Sequence, residues 1–247
     1  MTAFEQVAHG CEIARGDSLQ VLRELPSESC GMLLADPPYC SGGATRSDRK
    51  AGTSTKYQQS GSAPLSEFAG DARDERSFRL WSTLWMCEAL RILEPGSSAV
   101  VFSDWRQLAN TQDAVQAAGF VFRGIVVWVK PAARPQPNSF RNDAEFAVWA
   151  TKGPIDRRPL PGARYLPGNY TYPPPKAKTR LHIAEKPVAL LRDLMAIAPE
   201  GCTVLDPFMG SGSCGVACAE TGRRFVGVEM TEHYYAVARD RLAAAWR

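Results

Sequence analysis

The chain has 247 residues, 45% of them hydrophobic and 22% charged, and its formal net charge is +3. This composition predicts a single α/β domain over residues 1–247, and no apolar run approaches the ~20 residues of a membrane helix. The seven cysteines form no C-x-x-C pair and the three histidines stand far apart, which excludes the common zinc motifs. We therefore expect no metal, reduced thiols and a cytoplasmic protein.

Positive charge is unevenly spread along the chain. Residues 123–180 carry eleven Lys and Arg against three acids, whereas residues 1–37 carry two against six. A basic block on a nearly neutral protein favours a polyanionic partner. On charge alone, a solvated basic face is the alternative.

Hydrophobic periodicity predicts strands alternating with helices along the chain. The predicted strands are 11–17, 30–36, 97–104, 122–130, 144–152, 203–208 and 223–230. The predicted helices are 18–25, 77–96, 105–120, 186–201, 212–222 and a last one from 231. The alternation predicts a doubly wound, mostly parallel sheet of about seven strands flanked by helices.

Two segments interrupt this pattern. Residues 40–76 form a polar insertion rich in Ser, Gly, Thr and charge, and residues 153–181 are rich in Pro, Tyr and Arg. We predict no regular structure across 153–180. Loops of this length in compact domains are usually functional or mobile.

A glycine motif lies between a predicted strand and a predicted helix. Gly210, Gly212 and Gly215 fit G-x-G-x-x-G, and Glu229 ends the next strand. Taken alone, the pattern is typical of dinucleotide binding. However, Asp206 ends the preceding strand, where its carboxylate would repel a pyrophosphate.

A cationic ligand without phosphate fits this motif better. S-adenosylmethionine carries a sulfonium and an α-ammonium, and glycines would let the backbone approach it closely. Phe208 would supply apolar contact, and Glu229 could accept hydrogen bonds from both ribose hydroxyls. The alternative is that Asp206 only caps a turn and that Phe208 belongs to the core.

The second motif, LLADPPYC (33–40), ends an apolar strand on a carboxylate. An exocyclic amine on a nucleobase is a poor nucleophile until its N–H groups meet acceptors. Asp36 and the carbonyl of Pro37 could be those acceptors, since prolines add no competing N–H. Tyr39 offers a face for stacking an extruded base, and a base within a duplex must first be flipped out. A plain turn with Tyr39 packed locally is the alternative.

Together the two motifs resemble the amino-methyltransferases of DNA, which act on adenine N6 or cytosine N4. The resemblance is to the β class, in which DPPY (36–39) precedes the cofactor motif DPFMGSG (206–212). It extends to GDSLQVLRELPSESCGMLLADPPY (16–39), FRNDAEFAVWATKG (140–153) and HIAEKPVALL (182–191). It implies a Rossmann-like methyltransferase fold, circularly ordered with the cofactor strand late in the chain.

By position, the resemblance implies the following roles. The catalytic pocket would consist of Asp36, Pro37, Pro38 and Tyr39. The S-adenosylmethionine site would contain Asp17, Lys186, Asp206, Phe208, Gly210, Ser211, Gly212 and Glu229. Asp17 would contact the cofactor adenine and Lys186 the cofactor carboxylate, although Asp17 could instead cap a helix.

Basic side chains are expected to contact DNA phosphates rather than bases. They are Arg46, Arg49, Lys50, Lys56, Lys130, Arg141, Arg157, Arg158, Arg164, Lys176, Lys178 and Arg180. Only residues 153–181, with a contribution from 40–76, are available as a target-recognition segment, so the recognised sequence stays open.

The sequence predicts an S-adenosylmethionine-dependent adenine-N6 methyltransferase of double-stranded DNA, because Asp36 favours adenine in this family whereas Ser favours cytosine. Alternatives are a cytosine-N4 enzyme of the same fold, a methylase of RNA or protein, and a catalytically silent DNA-binding regulator. An NAD-dependent oxidoreductase would leave DPPY unexplained. The resemblance also implies a homodimer.

Overall fold

The protein is described by a computed structural model over residues 4–40, 73–131, 133, 137–155, 165–176 and 178–247. Within these ranges no helix is long and apolar enough to cross a membrane. The same residues contain no group of three or more His, Cys, Asp or Glu side chains able to hold a metal ion. All seven cysteines are free thiols.

Strands and helices alternate through most of the chain. The strands are β1 (Glu5–Ala8), β2 (Cys11–Arg15), β3 (Cys30–Ala35), β4 (Leu93–Ser103), β5 (Val121–Val129), β6 (Ala144–Thr151), β7 (Asn169–Thr171), β8 (Thr203–Asp206) and β9 (Arg224–Glu229). The α-helices are α1 (Ser18–Val21), α2 (Glu75–Ile92), α3 (Leu108–Ala117), α4 (Val188–Met195), α5 (Ser213–Glu220) and α6 (Glu232–Ala245), and a 3-10 turn, Leu22–Glu24, follows α1.

The strands form one sheet in the order β1-β2-β9-β8-β3-β4-β6-β5-β7. Strands β2, β9, β8, β3 and β4 are mutually parallel. Strands β1 and β6 run antiparallel to their neighbours. The predicted α/β class is confirmed, but the expected count of about seven strands is too low, since the sheet is mixed and has nine strands within the described ranges alone.

The central strands bury both faces, as their continuous apolar sequences predict. On β3, Met32 and Leu34 face one hydrophobic cluster with side chains of α4, α5 and α6. Leu33 and Ala35 face a second cluster with side chains of α2 and α3. Because successive strand residues point to opposite faces, helices cover both sides of the sheet.

Two short edge strands were missed by the sequence analysis. Strand β1 has no fully buried residue, so it shows no apolar pattern. Strand β7 pairs in parallel with Val127–Val129 of β5, which makes the prediction of no regular structure across 153–180 wrong at Asn169–Thr171. Three residues held by backbone pairing carry too little side-chain pattern to be recognised.

Two helices begin later than predicted, each for a local reason. Asp104 Oδ1 accepts hydrogen bonds from the backbone N–H groups of Arg106 and Gln107, at 3.1 and 2.9 Å, and this turn delays α3 to Leu108. Pro187 adopts an extended conformation and precedes the first residue of α4.

The sheet brings the two sequence motifs to one edge. Strands β3 and β8 are parallel neighbours, with Leu33 opposite Leu205, so their carboxyl ends coincide. Asp206 ends β8 and Asp36 directly follows β3. The chain continues from β3 to β4 on one side and from β8 to β9 on the other. Ligands of open α/β sheets bind at such a switch in strand order.

Candidate active site

A cavity of about 570 Å³ lies at this edge of the sheet. Its size is typical of sites for small molecules and cofactors. The predicted site residues that line it are Asp17, Asp36, Pro37, Pro38, Tyr39, Lys186, Asp206, Phe208, Gly210, Ser211 and Glu229. Gly212 does not line the cavity; it is the N-cap of α5. Asp36 and Asp206, which are 170 positions apart in the sequence (206 − 36), therefore line the same cavity.

The glycine motif is explained by backbone shape and packing. Gly210 and Gly212 have φ values of 50° and 80°, a region that side-chain-bearing residues rarely adopt. A Cβ atom on Gly215 would lie 2.4 Å from a methyl carbon of Leu242, so this glycine permits α5 to approach α6. None of these roles requires a phosphate in the site.

Asp206 is buried at the base of the cavity. Its Oδ1 accepts a hydrogen bond from the backbone N–H of Phe208 at 3.0 Å, so it does cap the turn. Burial raises the pKa of Asp206 to about 8, and the charges of Asp36 and Glu229 add to the shift. The same carboxyl group lines the cavity, where a cation would stabilise its ionised form.

Two other cavity carboxylates also hold the backbone. Glu229 accepts hydrogen bonds from the N–H groups of Gly210, at 3.1 Å, and Thr231, at 2.7 Å. Asp17 caps α1 by accepting from the N–H of Leu19 at 2.8 Å. Since each carboxylate oxygen can accept more than one hydrogen bond, both groups can still meet a ligand.

An aromatic wall flanks the glycine turn. The ring of Phe208 lies 5.0 Å from that of Trp85, edge-on, and 5.4 Å from that of Trp81. Trp81 also lines the cavity, and the guanidinium carbon of Arg73 lies 4.2 Å from its ring centroid. Phe208 thus contacts both the core and the cavity. Trp81 lies within a helix with no local motif, so its place at the cavity is not predicted from the sequence.

The donor set of this half of the cavity suits S-adenosylmethionine. Asp206 suits an ammonium group, and Phe208 suits an adenine or apolar chain. Arg180 lines the cavity, and among the described residues its buried Nε has no hydrogen-bond partner, which leaves a donor for a carboxylate. Burial, together with Lys186 and Arg180, lowers the pKa of His182 to about 3, so this imidazole is neutral.

The other half of the cavity holds a network of paired charges around Asp36. The Tyr39 hydroxyl donates to Asp36 Oδ1 at 2.6 Å, and Lys186 Nζ donates to Asp36 Oδ2 at 2.6 Å. Lys186 Nζ also lies 3.3 Å from Glu145 Oε2. Lys130 Nζ donates to Glu145 Oε1 at 2.9 Å. We call these five residues the Asp36 network.

Within this network, burial and ion pairing shift the pKa of each charged group in opposite directions. Burial raises the pKa of Asp36 above its usual range, although Lys186 opposes the shift. Burial also acts on Glu145, but Lys186 and Lys130 outweigh it and lower the pKa of that carboxyl. For Lys186, Asp36 and Glu145 outweigh burial and raise the pKa of the ammonium. The network holds two carboxylates and two ammonium groups, so it is electrically balanced.

The predicted phosphate-contacting residues divide into three groups. Arg46, Arg49, Lys50, Lys56, Arg157, Arg158 and Arg164 lie outside the described residues. Arg141, Lys176 and Lys178 are exposed. Lys130 and Arg180 line the cavity, and Lys130 is engaged with Glu145. Two further basic residues at the cavity, Arg73 and Arg106, were not in the predicted set.

A second charged cluster fixes the cofactor side of the cavity. Arg241 on α6 forms an ion pair with Glu185 at 2.9 Å and donates to the carbonyl oxygen of Ser211 at 3.2 Å. The Ser213 hydroxyl donates to Glu185 at 3.2 Å. Glu185 precedes Lys186 directly, so this cluster ties the segment bearing Lys186 to the glycine turn. No local sequence pattern signals a contact between such distant positions.

Comparison with known proteins agrees with this geometry. A family model described as DNA methylase, of the N6/N4 type, matches residues 31–240. M2.DpnII of Streptococcus pneumoniae, named a type II methyltransferase, is 27% identical over 94% of this chain and 89% of its own length.

Solved structures share the fold. M1.HpyAVI, determined as a complex with S-adenosylmethionine, superposes with a TM-score of 0.68 at 23% identity, covering 94% of this chain and 98% of its own. PvuII DNA methyltransferase, whose name gives its specificity as cytosine N4, has a TM-score of 0.68 at 15% identity, covering 96% of this chain and 91% of its own. The residues that the family model matches include both motifs and the strands from β3 to β9. The chain therefore belongs to the N6/N4 DNA methylase family, and S-adenosylmethionine is its cofactor.

Proposed function

We propose that the protein methylates adenine N6 in double-stranded DNA after flipping the target base into the cavity. The observation that carries this proposal is the meeting of Asp36 and Asp206 in one chamber at the ends of adjacent strands. Asp206 lies on the side suited to a cationic cofactor, and Asp36 lies on the side suited to an amine. A base inside a duplex could not reach Asp36 without leaving the stack.

Asp36 and the Pro37 carbonyl would accept hydrogen bonds from the two N–H groups of the target amine. These bonds make the nitrogen lone pair available outside the plane of the ring. Bound S-adenosylmethionine supplies an electrophilic methyl group. Pro38 keeps the segment stiff, and the partly buried Tyr39 ring offers its face to the base.

The cofactor would be held by side chains on the other side of the chamber. Asp206 would bind the α-ammonium group, Glu229 the ribose hydroxyls, and Phe208 the adenine. Asp17 would contact the adenine edge, and Gly210, Ser211 and Gly212 would shape the turn around the methionine part. We assign the cofactor carboxylate to Arg180, because the ammonium of Lys186 is already paired with Asp36 and Glu145.

Trp105 at the cavity rim is a candidate contact for an unstacked base. Its side chain is 54% exposed, it lines the cavity, and the Arg106 guanidinium lies 4.7 Å from its ring centroid. The Asp104 turn holds this position at the end of β4. An exposed aromatic ring beside a basic group is an arrangement on which bases stack.

We expect Trp105→Ala to weaken DNA affinity by about 5- to 150-fold, the range for loss of one stacked base. Trp105→Phe should retain most of the affinity, and cofactor affinity should not change in either variant. Fluorescence anisotropy with labelled duplex, alongside cofactor titration, measures both. Unchanged DNA affinity in Trp105→Ala would remove this residue from the DNA interface.

The proposed function is tested by identifying the methylated nucleoside. The protein is incubated with labelled S-adenosylmethionine and a random-sequence duplex pool, and the DNA is digested to nucleosides. We expect label in N6-methyladenine. Single-stranded RNA and protein serve as parallel substrates, and cofactor binding without transfer to any of them would favour the silent regulator.

Cytosine N4 is the second candidate target. One solved neighbour carries that specificity in its name, and the fold is shared. Asp at position 36 favours adenine, since family members that act on cytosine usually have Ser at this place. Label in N4-methylcytosine would show that the target is cytosine N4 instead of adenine N6.

The finer features implied by the resemblance belong to the same proposal. They are the β class with its circular order of elements, a single catalytic domain over 1–247, target recognition by 40–76 and 153–181, and a homodimer. Residues 41–72, 156–164 and 177 of the two recognition segments lie outside the described residues. Light scattering that gave the mass of one chain would contradict the dimer.

A further inference from the structure

Both carboxylate oxygens of Asp36 already accept a hydrogen bond from a donor of the same chain. One carboxylate oxygen accepts from the Tyr39 hydroxyl and the other from Lys186 Nζ, each at 2.6 Å. Both are short, charge-assisted contacts. The target amine would add a further donor to this carboxylate, so its approach weakens the hold of the donors that are already there.

Both donors have the same second acceptor, a single oxygen of Glu145. Glu145 Oε2 lies 3.3 Å from Lys186 Nζ and 3.4 Å from the Tyr39 hydroxyl. A small shift of either donor would therefore exchange Asp36 for Glu145 without exposing an unpaired polar group. Leaving a buried donor unpaired would otherwise be costly.

The position of Glu145 is fixed by its neighbours, so its carboxylate stays within reach of both donors. It lies near the start of β6, and its Oε1 accepts from Lys130 at 2.9 Å. Lys130 follows the end of the antiparallel neighbour β5, and its backbone N–H bonds the carbonyl of Asp143. The side chains of Lys130 and Glu145 are only 20% and 19% exposed, so solvent screens the pair weakly.

We propose that Glu145 is a positioning residue that takes over Lys186 and the Tyr39 hydroxyl when Asp36 engages the target amine. This inference rests on the proposed function and adds a role that the two motifs do not contain. Lys186 is thereby a shared cation between two carboxylates, with Lys130 anchoring the second of them.

The charges of the network fit this exchange. After methyl transfer the target nitrogen carries a positive charge and loses one proton, which Asp36 can take. Asp36 then becomes neutral, the nitrogen becomes neutral, and Lys186 keeps its own proton. Glu145 remains as the anion between Lys186 and Lys130, so the ammonium beside Asp36 keeps an anionic partner. The cofactor loses its positive charge when the sulfonium becomes a neutral thioether, and the network gains that charge with the proton on Asp36.

The test is Glu145→Gln, which preserves shape and removes the charge. Without Glu145, Lys186 stays on Asp36, and we expect kcat to fall by about 10- to 100-fold, the range for one charge-assisted hydrogen bond. Affinities for S-adenosylmethionine and duplex DNA should stay within about two-fold, because we place Glu145 in contact with neither. Glu12→Gln, on the exposed face of β2, is the matched control.

The pH profile separates positioning from a structural role. The charged groups facing Asp36 are Lys186, Glu145 and Asp206, with the Tyr39 hydroxyl as a neutral donor. The charge of Glu145 raises the pKa of Asp36. Activity requires ionised Asp36, so it is lost as pH falls, and in Glu145→Gln this loss should occur at lower pH than in the wild type. Measurements use saturating cofactor.

Each outcome has a definite meaning. A lower kcat together with a shifted acid limb supports the inference. An unchanged kcat, or a lower kcat with an unshifted acid limb and a lower melting temperature, overturns it while leaving the proposed function intact. A wild-type protein that transfers no methyl group to DNA overturns the proposed function, and the inference with it.

Discussion

Asp36→Ala should abolish methyl transfer while leaving the cofactor bound. The substitution removes the carboxylate that accepts the target amine, and we expect the single-turnover rate to fall by about 10²- to 10⁴-fold, the usual contribution of a positioned acid–base group. Lys186 retains Glu145 as its partner at 3.3 Å, so its ammonium is not left alone in the fold. Rapid-quench measurement with labelled cofactor gives the rate.

Asp36→Asn is the matched variant for this experiment. Asparagine keeps the shape and one acceptor oxygen but loses the charge, so its rate should lie between those of the wild type and Asp36→Ala. Isothermal titration should give S-adenosylmethionine affinities within about three-fold for all three proteins. A cofactor affinity that falls as far as the rate would mean that Asp36 supports the fold or the cofactor site instead.

The parts of the site that could be predicted are those encoded by short local patterns. Asp36 and Asp206 each end a continuous apolar strand, and parallel strands bring such ends together. The glycines mark positive φ values and a close helix contact, both of which are local requirements. These signals located both halves of the cavity.

The partners of the predicted residues could not be read from the sequence. Lys186 meets Asp36 across 150 positions in the chain, and Glu145 meets Tyr39 across 106. Such contacts depend on strand order and side-chain direction, which no local pattern encodes. For this reason the sequence predicts Lys186 at the cofactor carboxylate and Lys130 at a phosphate, whereas Lys186 pairs with Asp36 and Glu145 and Lys130 pairs with Glu145.

The two roles that the sequence allows for Asp206 and Asp17, ligand contact and capping, are compatible with each other. Asp206 and Asp17 were each weighed as ligand residues or as caps, and both do cap backbone N–H groups while lining the cavity. A carboxylate has lone pairs for both tasks. Capping fixes the position of the oxygen before a ligand arrives, which lowers the entropy lost on binding.

Binding of S-adenosylmethionine should release a proton from Asp206. Burial raises the pKa of this carboxyl to about 8, so near pH 7 the free protein holds it mostly protonated. The cofactor ammonium favours the ionised form, so binding expels the proton and affinity rises as pH increases from about 6 towards 8. Calorimetry at pH 7 in buffers of different ionisation enthalpy counts the released protons.

Asp206→Asn should show no proton release and weaker binding by about 10- to 100-fold, the range for a hydrogen bond to a charged group. The pKa of His182 is about 3, so this residue stays neutral and cannot supply the proton in the window measured. The variant should also lose the contribution of Asp206 to the pH dependence of stability, because a raised carboxyl pKa makes the folded protein less stable as pH rises from about 4 towards 8. Equal proton release in both proteins would place the cofactor ammonium elsewhere.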